Sequence, residues 1–300
     1  GYTHRGQHEF TRTVAKALRY LKNSQDDEGC FAARPNPHYS YDHAIASIAM
    51  IEAYGMTLSP IFTRPAQRAL EFVQSARNPY FAWRYGVRPG DNDTSVTGWM
   101  LTTIHAARMV NAHAKRNGTP PPFDIDEKAF DGVKAWLEKM TDASSGRVGY
   151  IQRGGGSARP EALVDQFPGG RVEAMTAAGL WMRRLMPMRP IDEVLARKAA
   201  SLIAEKPPRW DTKTGDIDMY YWYYGALAMH QMGGPEWRKW NARLQPTILT
   251  RQRKDTTHCL YKGSWDPVGP WGREGGRVYA TAMMALCLET PYRYARVAAN

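Results

Sequence analysis

Hydrophobic positions along the chain follow two kinds of helical pattern. In one kind, apolar residues recur every three or four positions, as at Phe10, Val14 and Leu18, which predicts an amphipathic helix with one buried face. In the other kind, small and large apolar residues cover almost the whole circumference, as in SYDHAIASIAMIEAYG from Ser40. A helix that is apolar nearly all round is typical of the interior of a larger helical assembly.

The two kinds alternate along the chain, which predicts helix pairs with an amphipathic outer and a buried inner member. The outer helices are predicted at 7–24, 64–77, 127–140, 192–205 and 236–253. The inner helices are predicted from residue 40 and at 94–113, 172–185, 219–232 and 276–289. Repeated pairs of this kind indicate a helical array or a closed double ring. We therefore predict an all-α fold, an α/α toroid of about five to six antiparallel pairs around a central cavity, formed by residues 1–300 as one domain.

One long insertion interrupts this spacing, the segment GRVGYIQRGGGSARPEALVDQFPGG at 146–170. Its glycine triplet and its prolines predict a loop. Loops of this length usually carry a function or cover another part of the protein.

Charge and cysteine content limit which ligands and which cysteine-based sites the protein is expected to have. The net charge is +11, from 40 basic and 29 acidic residues, but the basic residues are scattered and the densest run, RQRK at 251–254, falls at a predicted helix end. This favours a solvated surface, with an acidic glycan or a membrane surface as the alternative and nucleic acid disfavoured. The three cysteines, Cys30, Cys259 and Cys287, lack metal-ligand spacing and cannot all pair with one another.

No apolar run approaches the roughly 18–20 residues that a membrane-spanning helix needs. We therefore expect a soluble chain with no membrane span. The compartment is left undetermined, because a chain that starts at Gly1 is compatible with export and removal of a signal.

In a closed toroid the N-termini of all inner helices would meet at one mouth of the cavity, where their partial positive charges would gather. We expect the functional residues at that mouth. The candidate catalytic residues are Asp93, Glu173 and His43. The candidate ligand-binding residues are Tyr41, Asp42, Thr97, Trp99, Arg171, Asp218, Tyr221, Arg277 and Tyr279.

Several of these residues have a structural interpretation beside the functional one. His43 is a natural proton carrier near neutral pH, but a buried histidine with satisfied hydrogen bonds is the alternative. Asp42 points about 100° away from His43 on a helix and is predicted to cap the helix instead of orienting the imidazole. Asp93 or Thr94 is likewise predicted to cap the next inner helix.

Glu173 lies in an otherwise apolar helix, where an unpaired carboxylate would be costly. Arg171 or Arg277 is the predicted partner, and the sequence leaves a structural ion pair and a ligand contact equally open. The aromatic run at 220–224, YYWYY, covers every face of a helix. Such rings suit core packing, a polyprenyl chain or stacking on sugar rings.

A resemblance to a known family rests on three stretches. The pattern Lys16-Ala17-x-x-Tyr20-Leu21-x3-Gln25-x3-Gly29-x-Phe31 is similar to the QW repeat of squalene–hopene and oxidosqualene cyclases, with Phe31 in the tryptophan position, and weaker copies precede Trp83 and Trp265. The segments GDNDTSVTGW and YYWYYGALAMHQMGG resemble bacterial prenyltransferase/squalene-oxidase-repeat proteins of the terpenoid cyclase and protein prenyltransferase superfamily. The resemblance extends over nearly the whole chain and implies the α/α toroid.

The same resemblance implies little of the family's chemistry. Class II cyclases protonate an alkene with the middle aspartate of a DxDDT motif, and aligning that motif on Asp93 and Thr94 places Asn92 at the acid position. The zinc-binding motif of protein prenyltransferases would fall on Asp218 and Tyr220, with a phenol where the thiolate should be. We therefore expect neither a metal nor another cofactor.

Three hypotheses for the function follow. The first is a ligand- or partner-binding toroid that lacks the cyclase acid and the zinc site, with 146–170 as its contact surface; a filled or shallow centre would favour it. The second is an active isoprenoid cyclase or lyase-type enzyme with a different acid, which a deep aromatic pocket around one buried acid would favour. The third is a toroid that binds or cleaves acidic polysaccharide in an open groove of arginine and tyrosine. Whether the protein is an enzyme is left undecided by the sequence.

Overall fold

The computed structural model describes residues 2–254 and 259–296 of the chain. The described residues are about 60% helical and contain no β-strand, so the predicted all-α class is confirmed. They form ten α-helices, α1 Thr11–Ser24, α2 Tyr39–Thr57, α3 Thr63–Ala76, α4 Thr94–Arg116, α5 Lys128–Met140, α6 Ala174–Arg184, α7 Pro190–Glu205, α8 Met219–Met232, α9 Gly234–Leu249 and α10 Gly272–Arg293.

Every predicted helix is present, and the differences lie at helix ends. Helix α7 begins two residues early because Pro190 occupies its first turn, where a proline needs no backbone N–H partner. Helix α10 starts at Gly272 because a short turn precedes the predicted helix. The two parts are joined at Gly276, whose φ of 62° breaks the helical path. A positive φ of this kind is accessible to glycine at little cost.

The chain divides into two compact units, one ending at Glu138 and one beginning at Lys139. In the first unit, α2 packs against α3 and α4. In the second, α8 lies between α6 and α10 and also contacts α7 and α9. Inner helices are therefore neighbours of inner helices within each unit, as the alternating pattern predicts, while the closed ring and the single domain stay predictions.

One hydrogen bond recurs in four of the five helix pairs and gives these four a common structural motif. After an outer helix the chain turns and presents an anchor residue, whose backbone N–H donates to a side chain in the first turns of the following inner helix. The four bonds are Phe31 N to His43 Nδ1 (3.1 Å), Trp83 N to Thr97 Oγ1 (3.2 Å), Val148 N to Thr176 Oγ1 (3.3 Å) and Trp265 N to Thr281 Oγ1 (3.3 Å).

The two tryptophan anchors also fasten the preceding outer helix. Trp83 Nε1 donates to Val73 O at 2.7 Å, and Trp265 Nε1 donates to Ile248 O at 2.8 Å. Each anchor therefore bonds one outer and one inner helix, which fixes the spacing within its pair.

In two of these turns a glutamine side chain donates a hydrogen bond to the carbonyl oxygen of a glycine in the turn. The Nε2 atom of Gln25 donates to Gly29 O (3.0 Å) and to Pro65 O (2.9 Å), which links the end of α1 to the first turn of α3. Gln252 Nε2 donates to Gly263 O at 2.9 Å in the same way. Gly29 is required here, because its φ is 92° and a Cβ atom would lie 2.4 Å from Arg68 O.

Candidate functional site

Glu173 stands just before α6 and is buried, with 4% of its side chain exposed. Its Oε1 and Oε2 atoms accept from Arg147 at 2.9 and 3.2 Å, Lys206 Nζ donates to Oε1 at 2.8 Å, and Thr176 Oγ1 donates to Oε2 at 2.8 Å. The predicted partners were wrong: Arg171 is exposed and Arg277 pairs with Asp266. Arg147 lies in the turn after α5 and Lys206 directly follows α7, and the side chains of both residues reach Glu173.

This network keeps Glu173 ionised. Burial pushes its pKa up, but the hydrogen bonds from Arg147, Lys206 and Thr176 outweigh that effect and hold the pKa below its ordinary value of 4.5. A general acid needs a raised pKa, so the arrangement is that of a structural carboxylate.

Asp218 caps α8 and is almost fully buried. Its Oδ1 accepts from Tyr221 N at 3.0 Å, and its Oδ2 accepts from Arg159 at 2.9 Å. The Arg159 side chain is only 3% exposed and also donates to Phe167 O and to Pro168 O. One buried ion pair therefore holds both the start of α8 and the far part of the 146–170 loop.

The sequence predicts either Asp93 or Thr94 as the cap of α4, and Asp93 is the cap. Val96 N donates to Asp93 Oδ1 at 2.7 Å. The side chain is fully buried, and Arg84 Nε lies 3.8 Å from Oδ2. The equivalent aspartates of two inner helices, Asp93 and Asp218, thus combine the same two features, a capping bond and an arginine neighbour.

His43 is fully buried. Its Nδ1 accepts from Phe31 N, so the ring proton is assigned to Nε2, which donates to Ala69 O at 3.2 Å. Burial lowers the pKa of His43 to about 4, so the imidazole is neutral near pH 7. Because threonines occupy the equivalent position in three other pairs, His43 has the role of a structural acceptor.

Of the remaining candidates in the first unit, Tyr41 joins two inner helices by donating to Ser95 Oγ at 2.8 Å. Asp42 was predicted to cap α2, and this is wrong: the helix begins at Tyr39 and Asp42 accepts from Asn36 Nδ2 at 2.9 Å in the first turn. Thr97 receives the anchor bond described above, and Trp99 is buried in α4.

In the second unit, Tyr221 connects α8 to the end of α7, since its hydroxyl donates to Lys206 O at 2.8 Å and to Ile203 O at 3.2 Å. Arg277 donates to Asp266 Oδ1 (2.7 Å) and stacks on Tyr261, with its guanidinium carbon 4.3 Å from the ring centroid. Both side chains are therefore engaged by the protein itself.

The aromatic run at 220–224 is buried at every position. Around it, Tyr220 lies 5.0 Å from Tyr224 between ring centroids, and Trp181 meets Tyr294 edge to face at 5.6 Å. Tyr294 follows the end of α10 and is electrostatically coupled to Tyr224. Aromatic side chains therefore pack against one another among α6, α8 and the end of α10.

Sequence reasoning missed three residues that decide the state of these acids: Arg147, Arg159 and Lys206. Arg147 and Arg159 lie in the segment predicted to be an inserted loop, which contains several arginines of equal appearance. No pattern in the sequence singles out the two that reach a buried carboxylate.

A surface groove of about 640 Å³ runs along α3 in the first unit, where Arg64, Gln67 and Glu71 line it. It lies on an outer helix, away from the candidate residues. Within the described ranges, no three His, Cys, Asp or Glu side chains converge in a way that could hold a metal ion. None of the helices in those ranges has both the length and the hydropathy for crossing a bilayer.

The candidate acids and His43 thus all form hydrogen bonds within the protein. Asp93 and His43 do so in the first unit, and Glu173 and Asp218 do so in the second. Neither a known protein-family model nor a curated protein sequence matches this chain.

Proposed function

We propose that this chain is a non-catalytic ligand- or partner-binding module of the terpenoid cyclase-like α/α-toroid type. The observation that carries the proposal is the state of Glu173, a buried candidate acid just before α6, which three donors hold in its ionised form. A carboxylate stabilised in this way is a poor proton donor to an alkene. Asp93 and Asp218 serve as helix caps.

The relationship to the toroid superfamily is supported by the glutamine bonds. Gln25 and Gln252 each reach back to the carbonyl of the turn glycine, and Gln25 also binds the neighbouring outer helix. In the QW repeats that the sequence resembles, a glutamine at a helix end has this linking role.

Two further features favour binding over catalysis. Buried aromatic rings among α6, α8 and the end of α10 pack against one another in the second unit, which supports a packed core over an isoprenoid-binding cavity there. The loop at 146–170 is fixed by buried Arg159 and Phe167 while it exposes Ile151 and Val164. An ordered loop with exposed apolar side chains is suited to contact with a protein partner.

Turnover measurements test the proposal. The purified protein is incubated separately with squalene and with geranylgeranyl diphosphate, and the extracts are compared with boiled controls by gas chromatography and mass spectrometry. We expect no product that depends on native protein. A cyclised or eliminated product that disappears in the Glu173→Gln variant would overturn the proposal in favour of an isoprenoid cyclase.

A second candidate function is binding of acidic polysaccharide, because the charge is concentrated in one part of the chain. Residues from Lys139 onward contain 24 basic and 15 acidic residues and so carry +9 of the net +11. On α9, Arg238, Lys239 and Arg243 are exposed and form no ion pair within the described part of the chain. Lys239 and Arg243 are four residues apart and therefore lie on one face of the helix, with Arg238 about 100° from Lys239, so the three form a basic patch that an acidic chain can contact.

A pair of charge-matched variants tests this second candidate. Replacing Arg238, Lys239 and Arg243 with glutamine is expected to weaken binding to polygalacturonate about tenfold at low salt, because neutralising contacts release counterions from the polymer. Replacing Arg12, Lys16 and Arg19, which are exposed on α1, removes the same charge from the first unit and is expected to change the affinity less than twofold. Equal losses in both variants would mean that only net charge matters and would exclude α9 as a site.

A further inference from the structure

The exposed part of the 146–170 loop contains a short helical turn. The turn includes Glu161–Leu163, and Val164 N donates to Glu161 O at 3.2 Å. Glu161, Val164 and Asp165 are exposed and stand three and four positions apart, so their side chains lie on the same side of the turn. The turn therefore presents one apolar side chain together with two carboxylates.

The carboxylates of this turn are available for a contact with another molecule. The side chains of Glu161 and Asp165 form no hydrogen bond or ion pair with any residue that the structure describes. The turn itself is held in place, because Arg159 before it and Phe167 after it are buried. A contact made by a turn that is already ordered costs little conformational entropy.

The groove along α3 in the first unit presents the opposite charge. Arg64 and Arg68 lie four positions apart on its α3 side, and Pro60 and Pro122 add apolar surface. Arg64 is exposed and has no ion-pair partner among the described residues. Arg68 uses one N–H on Asp26 O at 2.7 Å and forms no ion pair within the same ranges.

One acidic side chain also lines the groove. Glu71 lies at the opposite end of the groove from Pro60, and its Oε1 accepts from Gln67 Nε2 at 3.0 Å. The lining thus contains two guanidinium groups and one carboxylate that already has a donor. Its net charge is positive, and the positive side chains lie between Glu71 and Pro60.

The end of the groove at Pro60 is apolar and exposed. Leu58 and Ile61 flank Pro60 in the sequence, within about 8 Å of it between Cα atoms, and expose 60% and 54% of their surfaces. Leu58 has a φ of 50°, a left-handed conformation that glycine usually provides after a helix and that is strained in a leucine. An exposed leucine gains little from packing in return for this strain, which favours a role in contact.

The two surfaces match in spacing, charge and polarity. Glu161 and Asp165 are four positions apart on a helical turn, as Arg64 and Arg68 are on α3, so the members of both pairs are separated by roughly 6–8 Å along their axes. Val164 lies between the two acids in the sequence and supplies an apolar side chain for the apolar end of the groove. Opposite charges at equal spacing give complementary surfaces.

We infer that the helical turn at 160–166 of one copy of this chain docks in the α3 groove of a second copy. The inference rests on the proposed binding function and deepens it, because it names a second copy as the partner. The contact joins two different surfaces and is therefore heterologous. Since both surfaces are small, we expect a dissociation constant on the order of 100 µM.

Sedimentation equilibrium of the full chain, at concentrations from about 5 to 500 µM, tests this contact. We expect reversible self-association that weakens at least about threefold when NaCl is raised from about 50 to 500 mM, because salt screens the exposed ion pairs. A chain that stays monomeric at the highest concentration in the lower salt would overturn the inference.

Charge reversal identifies the surfaces. Arg64→Glu and Asp165→Arg should each weaken self-association about tenfold, because each places like charges opposite one another. An equimolar mixture of the two variants should associate again, since the unaltered turn of the first fits the unaltered groove of the second and the two reversed charges attract each other. A mixture that associates no better than its components would overturn the inference.

Arg12→Glu is the matched control, because it reverses an exposed charge on α1 in the same unit. We expect its self-association to equal that of the wild type within about twofold. A loss as large as that of Arg64→Glu would mean that net charge alone governs the association and would overturn the assignment of the groove.

The remaining outcomes separate this contact from the proposed function. A monomeric chain that forms no product from squalene or geranylgeranyl diphosphate would overturn the contact alone. A self-associating chain that cyclises either substrate would overturn the non-catalytic function and leave the contact in place.

Discussion

Replacing Arg159 with alanine is expected to lower the free energy of unfolding by about 3–5 kcal/mol. The substitution removes the partner of buried Asp218 and leaves that carboxylate without compensation. It also removes the donor to two loop carbonyls, Phe167 O and Pro168 O. Urea denaturation followed by far-ultraviolet circular dichroism measures the change.

The control for this prediction lies in the same loop. Arg153 is exposed, and Arg153→Ala should change the free energy of unfolding by less than about 0.5 kcal/mol. Similar effects of the two substitutions would contradict the assignment of Arg159 as the residue that fixes the loop to α8.

Replacing Trp83 with alanine is expected to cost about 3–5 kcal/mol of unfolding free energy. The side chain is fully buried, and its indole N–H donates to Val73 O at 2.7 Å. The alanine variant loses the packing of the ring and the bond to α3 together. The same denaturation experiment measures the loss.

Two further variants separate the components of this loss. Trp83→Phe keeps most of the ring and removes the N–H, so about 1–2 kcal/mol is expected. Tyr80→Ala changes a neighbouring aromatic residue that is 87% exposed and should have little effect. A cost below about 1 kcal/mol for Trp83→Ala would argue against the anchor as the element that fixes a helix pair.

The helices could be predicted from the sequence because their signals are local. Burial determines which residue type is suitable at each position of a helix. Helices α2 and α8 are therefore apolar nearly all round, whereas α3 is amphipathic because only one of its faces is buried. The recurring anchor bond is less visible, since His43 and Thr97 perform the same task with different chemistry.

The state of the candidate acids could not be predicted, because it depends on contacts between segments distant in sequence. Glu173 meets Arg147 across 26 positions and Lys206 across 33 positions. The sequence correctly indicated that a buried glutamate needs a cationic partner, but the partners it predicted were Arg171, which is exposed, or Arg277, which pairs with Asp266. The turn at Gly146 and the end of α7 determine which basic side chains lie next to Glu173, namely Arg147 and Lys206.

The central claim is that Glu173 is an ionised structural carboxylate, and the pH dependence of stability tests it most directly. The measurement is the free energy of unfolding of the wild type and of Glu173→Gln from pH 3 to pH 7. A carboxylate whose pKa is lowered in the folded state stabilises the protein fully at pH values above its ordinary pKa of 4.5. That contribution is lost as the pH falls through the folded pKa. We therefore predict that the advantage of the wild type over Glu173→Gln grows as the pH rises through the acidic range and is constant above about pH 5. An advantage that shrinks as the pH rises from about 4.5 to 7 would mean that the folded pKa is raised, as in a proton donor, and would contradict the account.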